Sequence, residues 1–324
     1  MIHVSNKLDN LSNETAKIST RHMSTILMLF LCIILMLTNT DIVISGAHNG
    51  LILWYSSVLP SILPFMIVTS LLLKYCSGSG ICGLGLLCGL PVGANLVNHQ
   101  FKNHTISKQT ANLLLSVCNL ASPMFILGYI WNRQLHKEYP LIPFLLSIYI
   151  PGILYAFISY ISRYNKNNIK RTNNTNSSDR NHRQITVKNY PTEPPDTEAT
   201  LKQCLSVMLL IGLYIMLFCI ITQFCLKKIP VSGDSSVSLL SKIAISGLEI
   251  TNGIQIITGL SCSMQMKTAL IAGLTSFGGI CSIFQTKSVI TESELSIKKY
   301  TIIKIIWGIL SFLISYTTYG LFSK

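Results

Sequence analysis

The chain has 324 residues, 49% hydrophobic and 11% charged, with a mean hydropathy of +0.50 and a formal net charge of +13 at pH 7. Several apolar runs reach the ~20 residues that a spanning helix needs, which argues against a soluble globular domain. The basic residues sit in connections without the interleaved aromatics that stack bases, so no nucleic-acid partner is expected.

In chain order, a polar tail (residues 1–23) precedes apolar runs at 24–46 and 51–75. Residues 25–37 followed by Ser45-Gly46-Ala47 have the outline of a signal peptide, but apolar character resumes almost at once, so a retained span is expected. The segment 80–98 carries glycine breaks and reads as re-entrant or a half-helix; 109–131 and 140–163 read as spans. Residues 165–200 are rich in Asn, Ser, Thr and Pro, a composition that cannot offset its own ordering entropy and predicts a disordered linker. Eight basic residues in and beside it, from Arg163 to Lys202, place it in the cytoplasm by the positive-inside rule. Beyond it lie 201–226, the glycine-broken 238–260 and 266–286, and 300–322. The expected fold is an all-α polytopic membrane protein with about 7–9 membrane segments, in two pseudo-repeated halves (24–164 and 201–324) containing broken or re-entrant helices.

The breaks come in pairs. Gly89-Leu90-Pro91-Val92-Gly93 and the downstream Asn119-Leu120-Ala121-Ser122-Pro123 in the first half answer Gly247-Leu248-Glu249 and Ser276-Phe277-Gly278-Gly279 in the second. Interrupted segments at corresponding places of two halves point to a transporter's binding site. The candidate substrate-binding residues are Gly89, Pro91, Gly93, Asn95, Asn119, Ser122, Pro123, Glu249, Thr251, Gly253, Gly278, Gly279 and Gln285. Glu249 is the one carboxylate deep in an apolar segment and so is expected to face a partner or a cavity. If 238–260 is helical, Ser246, Glu249 and Gly253 share a face. The ten cysteines lie in or beside apolar runs and the histidines in tails or loops, so no metal site is expected. No catalytic set and no phosphate-cradling loop occur, so the chain is not expected to be an enzyme or to use a cofactor, although a coupling cation or proton fits a transporter.

These four motifs, in this order, resemble the sporulation integral membrane proteins that carry nucleoside-recognition (Gate) domains and are similar in plan to concentrative nucleoside transporters. Leu90 and Asn95 stand where that family commonly has an aromatic and a Lys. The resemblance covers about residues 50–322 apart from the linker. It implies movement of dipicolinic acid from the mother cell across the outer forespore membrane of an endospore-forming bacterium. Two alternatives stand beside it: transport of a nucleoside or another small solute, and a non-transporting scaffold of sporulation acting through the linker. The expected partners are the lipid bilayer and a small anionic or nucleoside-like solute, with room for a homo-oligomer.

Overall fold

The computed structural model describes residues 23–75, 85, 87, 89–173, 197–227, 236–291 and 293–322. Most of the linker (174–196) and of the polar tail (1–22) therefore lies outside the described residues. Every element among the described residues is helical, and six runs are long and apolar enough to cross a membrane: Thr40–Leu72, Lys108–Gln134, Leu141–Ser162, Thr197–Lys227, Met264–Ile290 and Ile297–Phe322. Broad faces of these runs leave Ile153, Leu154, Phe157, Leu209, Leu213, Leu217, Ile305, Ile309 and Leu313 exposed. Exposed apolar faces of that extent are lipid-facing.

The first half begins with α1 (Met23–Thr38). α2 (Thr40–Leu53) continues through a π-helical turn at Trp54–Val58 into α3 (Leu59–Tyr75). The sequence pattern predicted spans at 24–46 and 51–75. Instead the helix runs unbroken across 46–51 and the interruption falls at Asn39, because Gly46 and Gly50 are used for helix crossing rather than for a turn. α4 (Val92–Lys102) and α5 (Lys108–Cys118) follow, then α6 (Pro123–Phe125) with a π-helical continuation at Ile126–Gln134, and α7 (Leu141–Asn173). The second half comprises α8 (Thr197–Lys227), α9 (Ser236–Ser246), α10 (Ile250–Thr258), α11 (Met264–Phe277), α12 (Gly279–Ile290) and α13 (Ile297–Phe322).

Contacts between the halves fix the direction of each span. α7 runs into the linker and α8 emerges from it, so both have an end on one face, termed the linker face. Along α2 and α8, Gly46 meets Ile220, Gly50 meets Met216, and the Trp54 indole donates to the Met208 carbonyl at 3.0 Å, so the two are antiparallel. Along α7 and α13, Tyr139 bonds Thr318 at 3.0 Å and Tyr155 meets the Trp307 ring, again antiparallel. The loop before α13 rests on the start of α5 through Ser296 N–H to Asn112 Oδ1 (2.9 Å) and the Lys108–Glu294 ion pair (2.6 Å), so α5 also starts at the linker face.

Between these spans the chain folds back on itself twice. A Cβ on Gly253 would fall on the Ser246 carbonyl oxygen, although a straight helix would set those residues about 10 Å apart. Likewise a Cβ on Gly93 would stand 3.1 Å from the Gly85 carbonyl oxygen, against about 12 Å along a helix. Each of these pieces is thus a re-entrant hairpin. Its helical arm of 11 residues, α4 or α9, is about 16 Å long, half the hydrocarbon thickness. The first hairpin opens toward the linker face, where α4 joins α5, and the second toward the opposite face, where α10 joins α11. Corresponding elements of the two halves are therefore inverted with respect to the membrane, the arrangement of many transporters.

Candidate functional site

Short cap motifs build the site. In the second hairpin the chain leaves the helix at Gly247, and Glu249 takes an extended conformation (φ −142°, ψ 133°) as N-cap of α10. The expectation that Ser246, Glu249 and Gly253 share one helical face is therefore corrected, since the reversal lies between them. The Glu249 carboxylate accepts from Thr251 N–H (2.9 Å) and Asn252 N–H (2.7 Å) and is 2% exposed. Among the described residues no cation pairs with it. An ionised group at helix centre costs on the order of 2.5–3.5 kcal/mol on insertion scales. Two charge-assisted hydrogen bonds at about 1.5–3 kcal/mol each and the positive pole of α10 work against that cost.

The two spanning helices that follow the hairpins are themselves interrupted near mid-length. In the first, α5 ends at Cys118 and α6 restarts at Pro123, with the Ser122 hydroxyl accepting from Phe125 N–H at 3.2 Å. In the second, Gly278 has φ 88° and Gly279 φ 76°, a left-handed pair that only glycine adopts freely. Each hairpin tip bonds the break beside it, so the freed backbone groups satisfy one another at a depth where water cannot. Leu90 N–H donates to the Leu120 carbonyl (2.9 Å), while Ile280 and Cys281 N–H donate to the Gly247 and Leu248 carbonyls (2.9 and 2.8 Å).

Where the four breaks converge there is a cavity of about 50 Å³, lined on its polar side by Ser122, Glu249, Thr251, Ser282 and Gln285. Leu90, Phe125, Gly278, Cys281 and residues of α3 and α8 complete it. Such a volume holds a few water molecules, so a larger solute requires the hairpins to part.

The predicted site residues differ in what they do. The structure brings Ser122, Glu249, Thr251, Gly278 and Gln285 to the cavity. Gly89, Gly93, Gly253 and Gly279 serve instead to let backbones touch, against Ser122, Cys118, Ser246 and Glu249 respectively. Pro91 precedes α4 after a cis Leu90–Pro91 bond, Pro123 starts α6, and Asn95 sits half-buried on α4. Cavity residues beyond the candidates, such as Leu90, Phe125 and Cys281, are apolar and carry no chemical signature in sequence. His48 and His99, expected in tails or loops, lie on α2 and α4 and are exposed. Among the described residues no group could hold a metal ion.

Asn119 belongs to a second polar cluster behind the cavity wall. Its side-chain amide donates to Thr286 Oγ1 (2.7 Å) and to the Tyr300 hydroxyl (2.8 Å), and its carbonyl accepts from Lys304 Nζ at 3.0 Å. Lys304 is fully buried, with the Tyr300 and Trp307 rings 5.9 and 5.5 Å from its ammonium. Sequence reasoning did not single it out, although it stands inside the apolar run 300–322. Its seven-residue advance into α13 was the available signal.

No family model and no solved structure matches the chain. A curated protein does. The chain is similar to the sporulation integral membrane protein YlbJ of Bacillus subtilis (strain 168). The alignment is 20% identical over 321 residues and covers 82% of this chain and 74% of that protein. This likeness supports a place among sporulation membrane proteins, and the lipid-facing helices supply the bilayer contact that such a protein needs.

Proposed function

We propose that the protein is a sporulation membrane transporter that moves dipicolinic acid from the mother cell across the outer forespore membrane. The observation that carries the reading is the convergence of two oppositely oriented hairpin tips and two broken spans on one cavity. In such an arrangement, parting one hairpin opens the cavity to one face and parting the other opens it to the opposite face. The likeness to a sporulation integral membrane protein supplies the cellular context, and the resemblance of the break motifs to the Gate-domain family supplies the substrate. Transport in this scheme needs no catalytic residue or bound cofactor. A proton or cation arriving with the solute offsets the Glu249 charge, which otherwise repels a dianion.

A second reading, transport of a nucleoside, is favoured by the Glu249 carboxylate itself. Its remaining lone pairs can accept from ribose hydroxyls or a ring N–H. Deleting the gene in its spore-forming host and assaying spore dipicolinic acid tests the first reading. Low content, restored by the wild-type gene and not by Glu249→Ala, is the expected result. Normal content in the absence of a redundant relative would overturn the dipicolinate assignment and bring the nucleoside forward.

A further inference from the structure

Among the described residues one lysine, Lys304, is fully buried, and the transport scheme above leaves its ammonium unused. It sits at the C-terminal end of α5, where unpaired carbonyls carry partial negative charge. Of its three N–H donors, only one has a hydrogen-bond partner among the described residues, the Asn119 carbonyl at 3.0 Å. No carboxylate among the described residues forms an ion pair with it. Beside it, Asn119 Oδ1 is buried and accepts no hydrogen bond. The cluster thus has spare donors and a spare acceptor at a place from which water is excluded, a condition that buried polar groups rarely tolerate.

Its position relates it to the cavity. Asn119 begins the unwound stretch that ends in Ser122 on the cavity wall. Thr286, which accepts from Asn119, follows the cavity residue Gln285 and donates to the carbonyl of Ser282, another cavity residue (2.7 Å). Lys304 therefore lies one layer behind the wall, on the side formed by the first half's break. Glu249, held by the second hairpin, lines the cavity itself. The site has a donor pole and an acceptor pole.

Building on the transporter reading, we propose that Lys304 is the specificity-determining residue for an acidic group of the solute. The Asn119 carbonyl holds the ammonium while the cavity is closed and yields it to a carboxylate when the α5–α6 break opens. The end of the solute facing Glu249 is a hydrogen-bond donor, a role that the second carboxyl of a dicarboxylate fills when it carries the proton that arrives with it. A neutral solute makes no such demand on Lys304.

The test uses the full-length protein in liposomes, with uptake of pyridine-2,6-dicarboxylate and of uridine measured side by side, and dicarboxylate-induced thermal stabilisation read in detergent. Lys304→Met is expected to raise the KM for the dicarboxylate by at least about tenfold, the loss of one charge-assisted contact. Asn119→Asp supplies an internal carboxylate to the ammonium and remains foldable if Lys304→Met does not. It is expected to abolish stabilisation by the dicarboxylate. Unchanged KM and unchanged stabilisation in a monodisperse variant would overturn the role of Lys304 and leave transport standing. Stabilisation of the wild type that Asn119→Asp removes, without any uptake, would retain the anion site and overturn the transporter reading. Uptake of uridine alone, with no effect of the dicarboxylate, would overturn the assignment of Lys304.

Discussion

Glu249 and Lys304 solve the burial of a charge in different ways. The carboxylate is embedded in the N-terminus of α10 and takes both its partners from backbone N–H groups, so its removal exposes a structural debt as well as a functional one. Glu249→Ala leaves two buried N–H groups unpaired, at about 1–3 kcal/mol each. It is expected to lower the midpoint of thermal unfolding in detergent more than Glu249→Gln, whose amide oxygen still accepts one bond. Equal midpoints for the two variants would contradict the capping role. Lys304 has one hydrogen bond among the described residues, two aromatic neighbours at the edge of cation–π range and the weak pole of α5. The carboxylate was legible in sequence because it stood alone in an apolar run. The ammonium was not singled out, although it too stands inside an apolar run.

At the scale of elements, the glycines separate into those that bend the chain and those that let it touch. Gly93 and Gly253 occupy equivalent places on the returning arms of the two hairpins, each against a carbonyl oxygen, of Cys118 and Ser246 respectively. Gly93→Ala and Gly253→Ala must displace backbone, an overpacking cost of about 1–3 kcal/mol or more. They are expected to reduce the yield of monodisperse protein sharply. Gly128→Ala and Gly320→Ala, where a Cβ meets nothing closer than 3.9 Å or nothing at all within 4 Å, are expected to leave it unchanged. Loss of yield in all four variants would point to general sensitivity instead of the close approaches. The sequence shows that helices break at Gly89–Pro91, Gly247–Glu249 and Gly278, since glycine and proline punctuate any helical run. It does not show which breaks reverse the chain. Gly247 starts a hairpin and Gly278 only a kink, and the difference rests on tertiary bonds such as Ile280 N–H to the Gly247 carbonyl, which have no local signature.

For the whole molecule, the inverted halves make a sidedness prediction. Thr105 and Glu294 lie at the linker face, and Lys137 and Ser261 at the opposite one; all four are exposed. With single cysteines in a background freed of the natural ones, an impermeant maleimide is expected to label the first pair from the cytoplasmic side and the second from the other. Labelling of all four from one side would refute the inversion. The basic residues agree with this orientation: Lys102, Lys108, Lys287, Lys298 and Lys299 join the linker cluster on one face, against Arg133, Lys137, Lys227 and Lys267 on the other. The same geometry has a consequence for connectivity. The end of α13 and the start of α2 both lie on the face opposite the linker. A circular permutant that begins at Thr197, passes from Phe322 through a short polar tether to Thr40 and stops at Asn173 would keep all six long membrane-crossing runs with no added passage. The order in which the halves are synthesised is therefore free to change, while their mutual inversion is not.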